Sequence, residues 1–280
     1  MQRISSLFLS LYLVCFVIVP PSFADDLPCA AQLFQGTEPK LENVKLQLKT
    51  QELCYSQLTL LYSAMARTPL WSAEHLTAER IMIARQLPRP RSNVFHSEQN
   101  LPAGDRSELA DYRNSGYDRG HMSPNGDMST PDAQEESFSL ANMVPQDPCN
   151  NEVLWEGIES AVRDLTLSSG ETYVVTGPAF IGDTIQSLKD RVLVPTHVFK
   201  AVYVPSQNAA GVYFAPNDPS QAWEAISVKD LATRIGIDVF PSVADSIKAG
   251  MMQLPRPTPH FGCRVHMSEA GRPRDTKGQQ

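Results

Sequence analysis

The sequence predicts an α+β fold, in which helices and strands follow one another without regular alternation. Apolar residues recur at helical spacing from residue 151 to 165, and the pattern ends at Ser168-Ser169-Gly170. Short β-branched runs come next, beginning at 172–176, and helical spacing returns only at 227–235. A doubly wound sheet would alternate strand and helix throughout, so this order favours an α+β arrangement.

The composition is that of a globular protein with an acidic balance. The 280 residues are 42% apolar and 20% charged, which argues against a disordered chain. The length allows one large domain or two small ones, and no internal repeat or low-complexity linker divides it. A formal net charge of −7 argues against nucleic acid as a partner, since DNA-binding domains are usually basic. Net charge is a sum over the whole molecule, however, and a binding site is local.

The first 24 residues have the pattern of a secretory signal. Arg3 provides a small positive start, an uncharged apolar run covers residues 4–20, and Ser22-Phe23-Ala24 forms a cleavage pattern. A membrane anchor is the alternative, although the run lies at the lower length limit for a span. Cleavage after Ala24 removes Arg3 and changes the formal charge from −7 to −8. We therefore expect a secreted or periplasmic protein without a membrane segment in its mature form.

The cysteines indicate disulfide bonds in an oxidising compartment. Removal of the signal takes away Cys15 and leaves an even set, namely Cys29, Cys54, Cys149 and Cys263. Four cysteines allow three connectivities, of which we favour Cys29 with Cys54 and Cys149 with Cys263. The spacings are wide and no CxxC occurs, so a zinc site is the weaker interpretation.

Upstream of residue 116 the sequence predicts an arm, helices, one strand and a loop. Residues 25–40 form an irregular arm, and apolar residues at helical spacing within 41–48 and 54–65 indicate one or two amphipathic helices. The run 69–76 is typical of a strand that leads into a turn. Prolines at 88, 90 and 102 make 87–116 a long surface loop, a kind of segment that is often functional.

Downstream of the helix that starts at residue 151, four strands and one more helix are predicted. The strands fall at 172–176, 192–194, 199–204 and 211–214, and the helix falls at 227–235. A polar tail follows from Arg264. The predicted divisions are a signal peptide (1–24), an N-terminal arm (25–64), one domain (65–263) and a flexible C-terminal tail (264–280).

The first motif that carries chemistry is Asp118-Arg119-Gly120-His121. It places a carboxylate, a guanidinium and an imidazole within four residues. Taken alone, such a tetrapeptide is more often an ordinary polar turn with a surface histidine.

The second motif is a set of polar residues before and along the predicted helix, namely Asn142, Asn151 and Glu159. Each again has an ordinary interpretation, because asparagine is a good helix N-cap and a glutamate on a helix is usually solvated. The two motifs together are harder to explain as coincidence.

Together the motifs resemble the DNA/RNA non-specific endonuclease family, the ββα-metal (His-Me finger) nucleases. All four positions of the family's DRGH signature match at 118–121, and the second motif has the family's spacing. The segment that contains Arg91 is similar to the family's arginine loop, with Glu98 where aspartate is more usual. The resemblance covers roughly residues 65–245. It implies a ββα-metal nuclease core built on a mixed, mainly antiparallel sheet with flanking helices.

The resemblance implies a general base and a metal site. A neutral imidazole can take a proton from water near pH 7, and His121 is the implied base. Asn151 is the implied direct ligand of a divalent cation, and Glu159 would hold a metal-bound water. An amide oxygen suits a hard ion that keeps most of its waters, so Mg²⁺ is expected, with Mn²⁺ as the alternative.

The resemblance also implies residues that handle the phosphate. Arg119 and Arg91 would bind it and offset the charge that builds up in the transition state. Asn142 would orient the loop or a metal-bound water. The other histidines have no matching partners in the sequence, so we expect structural roles for His75, His96, His197, His260 and His266.

The implied function is hydrolysis of DNA and RNA phosphodiesters to 5′-phosphate ends. No base-reading motif appears, which predicts little sequence specificity and binding through a few local arginines. A catalytically silent nucleic-acid-binding protein and a phosphodiesterase or phosphatase for small substrates are the alternatives. The sequence has no GxSxG, HExxH, GxGxxG or P-loop motif, so other common hydrolase and nucleotide-binding classes are disfavoured.

Overall fold

The computed structural model describes residues 28–88 and 94–258 of the chain. The strands in chain order are β1 (Lys40–Leu41), β2 (Thr50–Cys54), β3 (Thr59–Ser63), β4 (Thr68–Thr77), β5 (Asp118–His121), β6 (Met143–Gln146), β7 (Glu171–Ala179), β8 (Ser187–Leu188), β9 (Val192–Leu193), β10 (His197–Val204), β11 (Ala209–Pro216), β12 (Glu224–Ile226) and β13 (Ile237–Asp238). The helices are α1 (Pro28–Ala31), α2 (Ala78–Ala84), α3 (Leu109–Tyr112), α4 (Pro131–Ser137), α5 (Glu156–Ser169), α6 (Val228–Ile235) and α7 (Asp245–Ala249).

Seven strands form one sheet in the order β12-β11-β10-β7-β4-β3-β2. Every pairing within this sheet is antiparallel. The central strands are rich in β-branched residues, which suit a pleated surface that is buried on both sides. The prediction of an α+β fold with a mainly antiparallel sheet is confirmed.

Each face of the sheet supports its own hydrophobic layer. Side chains alternate across β10, so Phe199 packs in one layer and Val198 in the other. Helix α6 covers the first layer through Leu231. Helix α5 covers the second layer through Ile158, and the β5–β6 pair joins it there through Val144. The two predicted motifs therefore lie on the same side of the sheet.

Helix α5 confirms the predicted helix, although the first predicted residues, from 151, form a wider turn. Residues Asn150–Trp155 form a wide, π-helical turn, in which the Glu156 N–H donates to the Asn151 carbonyl. Such wide turns are frequent at functional sites. The helix ends at Gly170, whose φ of 92° is favourable for glycine and unfavourable for residues with a Cβ.

The predicted helices within 41–65 are wrong. Residues Val44–Gln47 form a short 3₁₀ turn, and most of the remaining segment forms the antiparallel strands β2 and β3. Leu58 and Leu60 are fully buried in a cluster that includes residues of the distant 128–141 segment. Short apolar runs fit both periodicities, and here pairing with β4 decides in favour of strands.

The strand predicted at 69–76 is confirmed as β4, and the strands predicted near 192, 199 and 211 are confirmed as β9, β10 and β11. Ser227 caps α6 by accepting a hydrogen bond from the Asp230 N–H at 3.0 Å, as the pattern at 227–235 indicates. Within its described residues, the predicted loop 87–116 contains one short helix, α3, which is closed by reciprocal bonds between Glu108 and Asp111.

The N-terminal residues are tied to the sheet. Cys29 and Cys54 form a disulfide bond with 5.3 Å between their Cα atoms, as predicted. Cys54 lies at the end of β2, so the bond fixes α1 to the edge of the large sheet. Cys149 is also disulfide-bonded, whereas Cys263, its predicted partner, lies outside the described residues.

Several predictions fall on parts of the chain that are not described. They concern the signal peptide, the C-terminal tail and Arg91 of the arginine loop. The predicted domain limits stay predictions, although β2 and β3 of the predicted arm belong to the main sheet. None of the helices within 28–88 and 94–258 combines the length and hydropathy of a membrane span.

Candidate active site

The first motif forms strand β5, which pairs with β6 apart from the large sheet. Gly120 lies opposite Val144, and His121 lies opposite Met143. A Cβ at Gly120 would lie 2.7 Å from the Cβ of Gln146, a distance that side chains do not tolerate. Glycine is therefore required for the close approach of Gln146 to this strand.

The alternation of β5 separates its side chains into two groups. Arg119 and His121 are two residues apart and face an aromatic cluster formed by Phe95 and Phe138. Asp118 contacts the wide turn before α5. Strand β5 thus contributes side chains both to the aromatic cluster and to the contact with the turn before α5.

His121 is held in an apolar environment. Its ring makes an edge contact with Phe138 at 5.0 Å and a tilted contact with Phe95 at 5.7 Å between centroids. Its Nε2 atom is buried and has no hydrogen-bond partner among the described residues. Burial, with the nearby charge of Arg119, lowers the pKa of His121 from 6.5 to about 4. The imidazole is consequently neutral at pH 7, so one of its two ring nitrogens can accept a proton.

Arg119 stacks on an aromatic ring. Its Cζ atom lies 4.1 Å from the centroid of Phe95. Within the described part of the chain the guanidinium has no carboxylate partner and makes no hydrogen bond. Its donors can therefore bind an anion that approaches beside His121.

Asn151 lies in the wide turn and is oriented by the first motif. Its Nδ2 donates to Asp118 Oδ2 at 3.0 Å, and its backbone N–H donates to the Asp147 carbonyl at 2.8 Å. Because Asp118 takes the nitrogen side of the amide, the Oδ1 side is left to accept. No hydrogen bond among the described residues uses that oxygen. The motif aspartate and the predicted ligand are thus in direct contact.

Glu159 lies in the first turn of α5, beside a cluster of charged groups. The Arg163 Nη1 atom lies 3.9 Å from Glu159 Oε2 and donates to Asp127 at 3.0 Å. Burial raises the pKa of Glu159 to about 7, against the lowering influence of Lys200 and Arg163. A further positive charge near Glu159 would therefore stabilise its ionised carboxylate form.

Asn142 is fully buried and all of its side-chain hydrogen bonds go to protein. Its Oδ1 accepts from the Ser123 N–H at 3.0 Å and from the Ser72 hydroxyl at 3.1 Å. Its Nδ2 donates to the carbonyls of Ser123 and Ser137 at 2.8 and 2.9 Å. These bonds join the segment after His121 to β4, and the role predicted for Asn142, to orient the loop or a metal-bound water, stays a prediction.

Sequence reasoning missed how the loop before the first motif is anchored. Glu98 accepts hydrogen bonds from the Tyr55 hydroxyl, from Ser139 Oγ at 2.9 Å and from the Asn100 N–H at 2.9 Å. Burial raises the pKa of Glu98, but these hydrogen bonds outweigh it and leave the pKa below its usual value. The carboxylate is therefore a loop anchor.

The other described histidines have contacts of their own. His75 Nε2 lies 2.8 Å from Glu171, and its ring stacks on Tyr173 at 4.2 Å. His197 stacks on Phe214 at 4.9 Å. The backbone of His96 forms an isolated β-bridge with Ser139. Arg91, His260 and His266 lie outside the described residues.

Comparison with known proteins gives one consistent result. Residues 38–246 match the sequence family described as DNA/RNA non-specific endonuclease. Nuclease C1 of Cunninghamella echinulata var. echinulata is 36% identical over 170 residues, which are 56% of this chain and 67% of that protein. Mitochondrial nuclease EXOG of Danio rerio is 34% identical over 210 residues, which are 68% of this chain and 60% of that protein.

A solved structure extends the likeness to the fold. A chain in a crystal structure of an EndoG/EndoGI complex aligns with a TM-score of 0.58 at 27% identity, covering 66% of this chain and 84% of that one. The present chain spans about two thirds or less of the length of the two relatives above. The family match covers most of the chain, including both motifs. The chain belongs to the DNA/RNA non-specific endonuclease family, a family of nucleases.

Proposed function

We propose that the protein hydrolyses phosphodiester bonds of DNA and RNA as a metal-dependent endonuclease with little sequence specificity, and leaves 5′-phosphate ends. One observation carries this proposal. Among the described residues, a neutral histidine whose buried Nε2 has no hydrogen-bond partner shares a strand with an arginine that has no carboxylate partner, and the same strand contacts Asn151 through Asp118. A base, an anion-binding group and an oxygen ligand are what in-line hydrolysis of a phosphodiester needs.

The base in this proposal is His121. With a pKa of about 4 it stays neutral at pH 7, so its Nε2 can take a proton from a water molecule. Arg119 lies on the same face of β5 and would hold a phosphate oxygen beside that water. Its charge would also offset the negative charge that builds up in the transition state. Arg91 is proposed for the same role from the family motif.

The metal in this proposal is Mg²⁺, with Mn²⁺ as the alternative. The donor set fits a hard cation, because the Oδ1 of Asn151 and the carboxylate of Glu159 are both oxygen ligands. Asp118 fixes the amide by taking its nitrogen, which leaves the oxygen for the ion. The raised pKa of Glu159, to about 7, fits a site that becomes complete when a cation arrives. A bound cation would supply Lewis-acid stabilisation of the phosphate and of the leaving oxygen.

The experiment is digestion of supercoiled plasmid and of RNA by the mature protein, with Mg²⁺ and with EDTA. We expect Mg²⁺-dependent cleavage of both, and ends that ligate without prior phosphorylation. His121→Ala should lose about 10²- to 10⁴-fold in rate. His75→Ala is the matched control, because its ring packs against Tyr173 away from the site, and it should cleave like wild type.

Two outcomes would overturn the proposal. Equal activity of wild type and His121→Ala would exclude this site as the source of cleavage. Binding of nucleic acid without cleavage in Mg²⁺ or Mn²⁺ would favour a catalytically silent binding protein on the same fold. Turnover of a small phosphodiester without polymer cleavage would favour a small-substrate enzyme instead.

The proposed location is secreted or periplasmic. The Cys29–Cys54 bond is compatible with an oxidising compartment, and the first 24 residues have the signal pattern. N-terminal sequencing of the exported protein should begin at Asp25. An intact N-terminus in the purified protein, or its recovery from a mitochondrial fraction, would contradict this location.

A further inference from the structure

The feature behind this inference is the aromatic cluster at the site, formed by Phe95 and Phe138. The two rings meet edge to face at 5.0 Å between centroids. Phe95 lies 4.1 Å below the Arg119 guanidinium, and both rings contact His121. Neither sequence motif contains Phe95 or Phe138, so the motifs alone do not predict this arrangement.

The backbone holds Phe95 in place. The His96 N–H donates to the Phe138 carbonyl at 3.3 Å, and the Leu140 N–H donates to the His96 carbonyl at 2.8 Å. Glu98, which is buried, ties the same loop to Ser139 through a hydrogen bond of 2.9 Å. Phe95 is therefore fixed to the segment that leads into Asn142 and β6.

Phe95 has a direct effect on Arg119. An arginine side chain has several rotatable bonds, and this one has no carboxylate among the described residues to fix its head group. The ring face supplies the fixing contact while leaving the N–H edges free for a phosphate. An apolar support does not compete with the substrate for those donors, as a carboxylate partner would.

We propose that Phe95 is a positioning residue, which holds the Arg119 guanidinium over its ring and closes the apolar pocket around His121. The proposal rests on the proposed function. Phe95 acts through these two residues, and its ring would not itself contact the reacting atoms. The loop that contains Phe95 thus contributes an aromatic support to the site.

The test compares five variants with wild type by steady-state kinetics on duplex DNA in Mg²⁺, the fifth being Arg119→Lys alone. Phe95→Leu keeps apolar bulk and removes the ring face, so we expect kcat to fall roughly tenfold with KM changed much less. Phe95→Tyr keeps the ring and should stay within about twofold of wild type. Phe34→Leu is the control, because it removes another partly buried ring that packs on Tyr203 at 4.6 Å, far from the site.

The fourth variant distinguishes positioning from a general loss of structure. Phe95→Leu should cost much less in the Arg119→Lys background than in wild type, because the guanidinium that the ring holds is then absent. The Cδ protons of Arg119 should also show an upfield ring-current shift in wild type and Phe95→Tyr that is absent in Phe95→Leu. This spectroscopic measurement does not depend on activity.

The possible failures are distinguishable. An active wild type with Phe95→Leu equal to Phe34→Leu would overturn this inference alone, as would additive effects of Phe95→Leu and Arg119→Lys. Equal slowing by Phe95→Tyr and Phe95→Leu would also overturn it. An inert wild-type protein would overturn the proposed function and this inference with it.

Discussion

The protonation state of His121 decides whether it can act as a base at neutral pH. Two aromatic rings bury the imidazole away from water and the Arg119 guanidinium lies nearby, and both the burial and the charge disfavour the imidazolium form. The same residue affects stability, because the unfolded chain binds a proton on this histidine near pH 6.5 and the folded chain binds it only near pH 4. Stability therefore falls as the pH is lowered through this window.

We predict that the His121 ring titrates in the folded protein with a midpoint near pH 4. Its nitrogen and carbon resonances, assigned by their absence in His121→Gln, should stay constant between pH 8 and about pH 5. A loss of activity near pH 6.5 would then have to arise from another group. A midpoint near 6.5 would show that the apolar pocket does not control this residue.

Gly120 provides a second prediction at the scale of one residue. Gly120→Ala would place a methyl group 2.7 Å from the Cβ of Gln146, so β5 must move away from β6. We expect a loss of about 1–3 kcal/mol in the free energy of unfolding and reduced cleavage, because Arg119 and His121 flank the glycine. Gly104→Ala is the control, since nothing lies within 4 Å of its added Cβ. Equal denaturation midpoints for the two variants would contradict the packing argument.

At the scale of elements, a buried ion pair connects the sheet to the layer that contains the site. Lys200 on β10 lies 3.8 Å from Glu74 on β4, and both are almost fully buried. Lys200 also donates to Thr176 at 2.7 Å and lies 5.9 Å from the Trp155 ring centroid at the start of α5. Burial raises the pKa of Glu74 well above its usual value, against the lowering influence of Lys200 and Arg80.

We predict that Lys200→Met destabilises the protein by about 3–5 kcal/mol, whereas Lys200→Met with Glu74→Leu recovers much of the loss. The single variant leaves a buried carboxyl that must hold a proton, so its deficit should be smaller at pH 5 than at pH 8. This sign follows because a raised carboxyl pKa makes stability fall as pH rises. Lys229→Met, at an exposed position of α6, is the control in chemical denaturation. A pH-independent deficit would contradict this account of the pair.

The elements differ in how well the sequence predicts them. Strand β7 carries a β-branched run, β10 and β11 combine valines with aromatic residues, and α5 has a long apolar periodicity with a clear end at Gly170. Strands β2 and β3 were missed because five-residue runs fit helix and strand equally well until their partners are known. Tertiary pairing with β4 supplies the information that the local sequence lacks.

The sequence predicts the site residues that belong to short motifs. The contact between Asp118 and Asn151 joins the two motifs, and neither motif alone predicts it. The stacking of Arg119 on Phe95 joins residues of separate segments, and no periodicity or spacing connects them. Contacts of this kind depend on the path of the loop, which only the folded chain defines.

At the scale of the whole molecule, the net charge of −7 gives a prediction about binding. Attraction to the phosphate backbone must come from a few local arginines, so substrate affinity should be modest and should weaken with salt. Plots of log KM against log salt should have a slope of about 0.9 per phosphate contact, and Arg119→Ala should lower that slope by about 1. Arg234→Ala, whose guanidinium pairs with Glu224, should leave the slope unchanged. An equal effect of both variants would mean that overall charge governs binding.

The pairing of β4 with β7 has a consequence for how the chain folds. Thr77 lies opposite Glu171, and every proposed site residue falls within the intervening residues 78–170. Joining these two strands closes a long loop. The chain loses conformational entropy at this closure, before most of the stabilising contacts have formed. Catalytic competence is therefore expected late in folding, after the two central strands have met. In refolding experiments the recovery of cleavage should follow sheet formation, and a newly made chain should stay inactive until that closure is complete.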